Sequence, residues 1–226
     1  KKDVVKKKTL FTSYLCDKGD EIVRSILNDW QSLNPDYDIL YFSDKDIESF
    51  FKETEYFDIY KVMKNGVAIA DFFRICYINK YGGYWFDLDL EPIVVDIPDT
   101  GKIHLFDAGY KNISYMFIGG SPNQKLFKDT INDVVKNIIA NKDFMHASVL
   151  DITGPRVIQN IICKRLNIFN EDGCLPSKEV GSEIYLKDTD YEFIYKRIKF
   201  SKTKTGRYKR LQKKYNKKPY YQYNYV

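Results

Sequence analysis

The stretch Ile69-Ala70-Asp71-Phe72-Phe73-Arg74-Ile75-Cys76-Tyr77-Ile78-Asn79-Lys80-Tyr81-Gly82-Gly83-Tyr84-Trp85-Phe86-Asp87-Leu88-Asp89-Leu90 decides how the chain folds. From Val67 to Tyr81 it is mostly apolar and long enough for a core helix, and Gly82-Gly83 closes it. Tyr84 to Leu88 reads as a strand, and Pro92 ends whatever follows. A helix passing through a glycine pair straight into an aromatic strand is one unit of an alternating fold.

The same alternation extends outward in both directions. Leu10 to Leu15 reads as a strand, and residues 20–33 set Ile22, Val23, Ile26, Leu27, Trp30 and Leu33 on one helical stripe that Asn34-Pro35 stops. Tyr37 to Phe42 is a second strand, and Ser43 caps a short helix ending near Phe51. Further strands are expected at Ile103–Phe106 and Tyr115–Ile118. Pro122 opens a helix through Ile139, with Leu126, Phe127, Val134, Val135, Ile138 and Ile139 facing inward. Thr153-Gly154-Pro155 precedes a helix carrying Val157, Ile158, Ile161, Ile162 and Leu166, and late strands follow at Glu183–Lys187 and Glu192–Phe200. This pattern argues for an α/β domain with a mainly parallel sheet covered by helices on both faces. No period of 20 to 50 residues repeats, so a solenoid is excluded. The expected division is a domain over residues 1–200 and a basic C-terminal segment, 201–226, packed on it or mobile.

At 226 residues, 44% apolar, 16% aromatic and 30% charged, the chain can bury a core and is not globally disordered. No run of eighteen apolar residues is present to span a bilayer. The first residue is Lys rather than Met, which suggests that an upstream segment was lost or trimmed. The formal charge of +5 is unevenly placed: residues 193–226 hold 12 Lys or Arg and no acid, leaving 24 basic and 31 acidic side chains elsewhere. Such a tail suggests a phosphate-rich surface, an anionic membrane or nucleic acid as partner. With 29 Lys against 7 Arg, a general compositional bias explains it equally well. Cys16, Cys76, Cys163 and Cys174 form no C-x-x-C pair, which argues against a zinc site and against a redox dithiol. Cys76 and Cys163 read as small buried hydrophobes. A chain of this length needs no disulfide framework, which mildly favours a reducing compartment.

The chemistry concentrates at Asp87 and Asp89. On a strand, residues two apart share a face, so these carboxylates would converge while Phe86, Leu88 and Leu90 face the packed side. Two carboxylates this close repel unless a cation joins them or one is protonated. Oxygen ligands without Cys or His suit magnesium or manganese, the usual partners of a diphosphate. Asp36/Asp38, Asp44/Asp46 and Asp188/Asp190 repeat the spacing, but in polar turns where solvated caps explain them. Only Asp87/Asp89 follows a buried strand. Asp71 and Arg74 lie three apart on one helical face among Phe72, Phe73, Ile75 and Cys76. They form either a structural ion pair or a polar corner for sugar hydroxyls. Gly82-Gly83 fits a backbone needing positive φ, as a helix cap or for close approach of a ligand. His104 and His146, the only histidines, lack a partner motif and read as structural.

Taken together, Ala70-Asp71, Arg74, Tyr81-Gly82-Gly83 and Asp87-Leu88-Asp89 resemble, in order and spacing, glycosyltransferase family 32 with its DXD sugar-binding region. They resemble the large clostridial toxin glucosyltransferases more distantly. Trp30 with Leu33-Asn34-Pro35-Asp36-Tyr37, and Thr153-Gly154-Pro155, are similar to flanking segments of the family, so the likeness covers roughly residues 9–160. The resemblance implies a GT-A, Rossmann-like fold, a nucleotide-sugar donor with UDP-hexose preferred over GDP-mannose, manganese or magnesium, and retention of anomeric configuration. The acceptor class it implies is a glycan, lipid or protein, as in polysaccharide biosynthesis. By position, Asp89 would ligate the metal, Asp87 the ribose and metal, and Asp71 and Arg74 the donor sugar and its phosphate side. Thr12, Ser13 and Tyr14 would end the first strand at the nucleotide pocket, and Gly83 would approach the donor. The family's tail often carries a His and a Trp. Here Tyr220, Tyr221, Tyr223, Asn224 and Tyr225 stand in that region, and Asn224 is the candidate for a further metal ligand. Location is expected to be cytoplasmic or membrane-associated, or Golgi-type lumenal if an upstream anchor was removed.

Two other functions remain open on the residues alone. Asp87-Leu88-Asp89 after a strand also suits a haloacid-dehalogenase-type phosphatase, although the motif lies deep in the chain and lacks the following Thr or Val. The Lys- and Tyr-rich tail could bind nucleic acid, a partner less expected than a nucleotide sugar.

Overall fold

A computed structural model describes residues 8–14, 19–97, 101–107, 112–141, 149–167, 183–187, 190–197 and 206–215. The elements are β1 (Lys8–Ser13), α1 (Glu21–Leu33), β2 (Tyr37–Phe42), α2 (Asp44–Lys52), α3 (Phe57–Val62), α4 (Gly66–Tyr81), β3 (Gly83–Phe86), β4 (Ile103–Asp107) and β5 (Ile113–Gly120). They continue as α5 (Lys125–Ala140), α6 (Val149–Ile152), α7 (Pro155–Leu166), β6 (Glu183–Lys187), β7 (Glu192–Arg197) and α8 (Gly206–Lys214).

Local chemistry sets most boundaries. Asp20 caps α1 by accepting from the N–H groups of Ile22 and Val23. Asn34 ends it: its side-chain amide donates to the Trp30 and Ile93 carbonyls, and its Oδ1 accepts from Val95 N–H at 2.7 Å. Ser43 and Asp46 form a reciprocal capping box on α2. The short α3 escapes a sequence reading because its six residues bury no side chain and carry no side-chain cap. The helix expected from Pro122 starts at Lys125 instead. Asn123 has a φ of 61° and donates its N–H to the Asn79 carbonyl, so a turn comes first. Its buried stripe includes Thr130 and Ile131, and Ile139 points outward at 58% exposure.

One seven-stranded sheet, ordered β2-β1-β3-β5-β4-β7-β6, runs through the molecule. β1 pairs parallel with β2 and β3, and β4 parallel with β7; β5 is antiparallel to β3 and β4, and β6 to β7. Five strands therefore point one way, and only β5 and β6 oppose them. The period-2 alternation of the strands divides the core. Phe11, Trp85 and Ile118 pack with α2, α4, α5 and α7 on one face, joined by Tyr115 beyond the irregularity in the β4–β5 pairing. Leu10, Tyr84, Phe86 and Phe117 pack with α1 on the other, where Trp30 and Phe86 stack at 4.2 Å. Because β1 and β3 are parallel, with Phe11 level with Trp85, the residues leaving both strands emerge at one carboxyl edge. In open α/β sheets that edge is where ligands bind.

Gly82 and Gly83 belong to the packing. Gly82 has a φ of 75° and would set a Cβ 3.0 Å from Pro122 Cδ; Gly83 has a φ of 107° and would set one 3.0 Å from the Thr9 carbonyl oxygen. Gly83→Ala should therefore lower unfolding free energy by on the order of 2 kcal/mol, through backbone strain and displacement of β1. Urea titration checks this, and an unchanged midpoint would contradict it.

Candidate active site

Asp87 is the first residue beyond β3, and its N–H donates to the Met116 carbonyl at 2.8 Å, prolonging the pairing with β5. The chain then turns, with Leu90 N–H donating back to the Asp87 carbonyl at 2.9 Å. The expected strand through Leu88 thus stops at Phe86, and a turn rather than strand alternation presents the acid pair. The turn still buries Leu88 and Leu90 against the α1 side, leaving Asp87 and Asp89 half-buried between them.

Behind this turn lies Arg74, which α4 carries at 5% exposure. Its Nε donates to the Ala70 carbonyl, its Nη1 to Asp87 Oδ1 at 3.3 Å and to the Tyr115 carbonyl, and its Nη2 lies 3.2 Å from Asp71 Oδ1. The guanidinium also rests 4.2 Å from the centre of the Trp85 ring. Trp85 in turn donates its indole N–H to Asp87 Oδ1 at 2.8 Å. Both bonds to Asp87 fall on Oδ1, so among the described residues Oδ2 keeps its lone pairs for a ligand. On the far side, the Thr153 hydroxyl lies within hydrogen-bonding reach of Asp71 and of the Val149 carbonyl. Burial pushes the Asp71 carboxyl up to about 7; Arg74 opposes the rise, Asp87 adds to it and the Thr153 bond opposes it.

The fold thus brings Asp71, Arg74, Asp87 and Asp89 to one place. Tyr14, just past β1, stands at the same sheet edge, with Tyr208 of α8 at a ring distance of 5.9 Å. It does not bring Gly83 there: that residue opens β3, about 13 Å along the strand from Asp87, and its missing Cβ faces Thr9. Thr12 is wholly buried with its hydroxyl unpartnered, so of the strand-end residues Ser13 and Tyr14 are the ones partly open. Asn224 and the terminal tyrosines, like His146, lie outside the described residues. His104 is buried on β4 beside the Tyr84 ring. Sequence reasoning passed over Trp85, although strand alternation sets it on the side of Asp87, and Tyr208, for which no local signal exists.

Two oxygen ligands without Cys or His fit a hard divalent cation that keeps waters or substrate oxygens in its remaining positions. No group of three or more His, Cys, Asp or Glu able to hold a metal occurs among the described residues. A groove of about 480 Å³ between α5 and α7 contains none of the candidate residues. Most of its charges are already matched, Asp129 with Lys125 and Tyr191, Asp133 with Lys136, and Arg165 with Asp190.

Residues 20–100, which include this constellation up to the acid pair, match the family described as "Glycosyltransferase sugar-binding region containing DXD motif". Over those residues the chain is similar to glycosyltransferases of the DXD type. A solved structure, "PaToxG Glycosyltransferase", has a similar fold, with a TM-score of 0.53 over 74% of this chain and 71% of that one at 15% identity. No curated protein sequence matches the chain.

The raised Asp71 carboxyl links the site to stability. Between the ordinary carboxylate range and about pH 7, the folded protein keeps a proton that the unfolded chain releases, so this contribution declines as pH rises through that window. Asp71→Asn should remove the decline. Its stability should gain on that of the parent from about pH 4 to about pH 8 in chelator, as read by urea titration. Parallel pH profiles would contradict the assignment.

Proposed function

We propose that the protein is a metal-dependent, retaining hexosyltransferase that takes its sugar from a nucleotide-sugar donor, UDP-hexose in preference to GDP-mannose, and delivers it to a glycan, lipid or protein acceptor, with family 32 as the nearest kinship. The observation that carries this reading is the single buried guanidinium of Arg74, which joins Asp71 of α4 to Asp87 of the turn. Three residues that a chance Asp-x-Asp would leave unrelated are thereby locked into one unit.

Asp89 and the Oδ2 side of Asp87 are the groups that would hold magnesium or manganese. When bound, such a cation neutralises charge gathering on the departing diphosphate. Asp71, almost wholly buried, stays within the wall, where Thr153 and Arg74 engage it and it steadies Arg74 behind the site. Arg74 is too enclosed to reach far; it acts by holding both carboxylates in register and adding a fixed positive charge behind the leaving group. Asp71 is committed to Arg74 and Thr153, and Asp87 to Arg74 and Trp85. Neither is then placed as a covalent nucleophile, and retention proceeds by attack on the face the diphosphate leaves, its oxygen accepting the acceptor's proton. The nucleic-acid alternative loses support because Arg207 and Lys214 of the basic segment bind Asp29 and Asp20 of the same chain.

Asp89→Ala should lower metal-dependent release of nucleoside diphosphate from the donor by on the order of a hundredfold or more, the scale of losing one preorganised electrostatic group. Its unfolding midpoint should stay near that of the parent. A screen of nucleotide sugars with manganese, followed by liberated nucleotide and thermal stabilisation, tests this. Full turnover in excess chelator would contradict the proposal.

A further inference from the structure

The basic C-terminal segment contributes a described helix, and that helix ends up beside the acid pair. α8 lies on α1 through specific bonds. Arg207 donates to Ser25 Oγ at 2.8 Å and to Asp29 Oδ2 at 2.6 Å, and Leu211 is wholly buried in the core on that side of the sheet. At the other end, Lys214 Nζ and Tyr215 OH both donate to Asp20 Oδ2, at 2.6 and 2.9 Å, while Asp20 Oδ1 caps α1. Burial works to raise the Asp20 carboxyl, but the bonds from Lys214, Tyr215 and the two backbone N–H groups hold it down to about 2.

Clasped at both ends, α8 presents Tyr208 to the ligand edge of the sheet. Its ring meets Tyr14 at 5.9 Å and 69°, and Tyr215 meets Tyr14 at 6.5 Å and 74°. All three rings are half-buried on the cluster that holds Phe86, Leu88 and Leu90. Burial, with Asp89, Tyr14 and Asp87 adding to it, pushes the Tyr208 phenol well up, and its ring packs on the cluster that Leu88 and Leu90, the two neighbours of Asp89, enter.

We infer that α8 is a wall of the donor site and that Tyr208 is a nucleoside-contacting residue, its ring packing with Tyr14 against the nucleoside of a nucleoside diphosphate whose phosphates lie at the Asp87–Asp89 turn. The inference rests on the glycosyl-transfer reading and extends it to a residue about 120 positions away in sequence. Aromatic faces suit a nucleoside because every base offers a π-surface. A second tyrosine set edge to face on the strand-end one widens that surface.

Binding of UDP and of inorganic pyrophosphate, each with manganese, to the parent, Tyr208→Ala and Tyr208→Phe separates the parts. Tyr208→Ala should weaken UDP by about tenfold or more, the scale of one lost stacking contact, and leave pyrophosphate unchanged, while Tyr208→Phe should bind both as the parent does. UDP affinity unchanged in a folded Tyr208→Ala, or equal loss for both probes, overturns the inference. Should Tyr208→Ala fail to fold, hydrogen exchange of residues 206–215 in the parent decides: UDP should slow it and pyrophosphate should not, and no protection by UDP overturns it. If the parent binds neither probe, the glycosyl-transfer reading falls and this one with it; parent binding that the alanine leaves intact defeats this one alone.

Discussion

A guanidinium with almost no access to water is the constraint from which the arrangement of this protein follows. Such a charge survives in a core only if its donors are engaged. Arg74 meets that requirement with carboxylates from α4 and the turn after β3, a carbonyl from β5, a carbonyl one helical turn back, and an indole face. The partners lie on α4 itself, at the end of β3 and the turn after it, and on β5, so satisfying Arg74 positions α4, β3 and β5 together. The reversed strand β5 has a purpose in this light. It lies beside β3 and brings the Tyr115 and Met116 carbonyls to Arg74 and to the Asp87 N–H.

The same network places Asp71 and Asp87 differently although both pair with Arg74. Asp71 lies inside the protein, where removal from water outweighs its partners and favours the protonated form. Asp87 stands at the rim with 27% of its side chain exposed, one oxygen held by Trp85 and Arg74 and the other turned away from both. One carboxyl is thus built into the wall and the other offered at its edge, which is how a fold can hold a polar corner firm while leaving a place for a cation.

Charge is divided within the molecule as well. The acidic body and the basic tail, which the sequence leaves either packed on the body or mobile, meet along α1 and α8. Asp20 and Asp29 receive Lys214 and Arg207 there, and Leu211 fills the core between them. Ion pairs of this kind are worth little when fully exposed, but Asp20 is 7% exposed and also caps a helix, so its clasp on α8 draws on buried hydrogen bonds rather than on surface charge alone.

Sequence by itself determined the alternation of helices and strands, because caps such as Ser43–Asp46, the stop at Asn34-Pro35 and the apolar run to Tyr81 act through neighbours a few residues away. It also singled out Asp71, Arg74, Asp87 and Asp89, because their spacing on a helix and after a strand is itself local. Tertiary structure alone decided that a turn presents the acids, that Gly83 lies against Thr9 at the far end of β3, and that Thr153 and Tyr208 stand near the acids. Those outcomes depend on which strand lies beside which and on how α8 returns across α1. Contacts of that kind join residues tens to more than a hundred positions apart, and no local pattern encodes them.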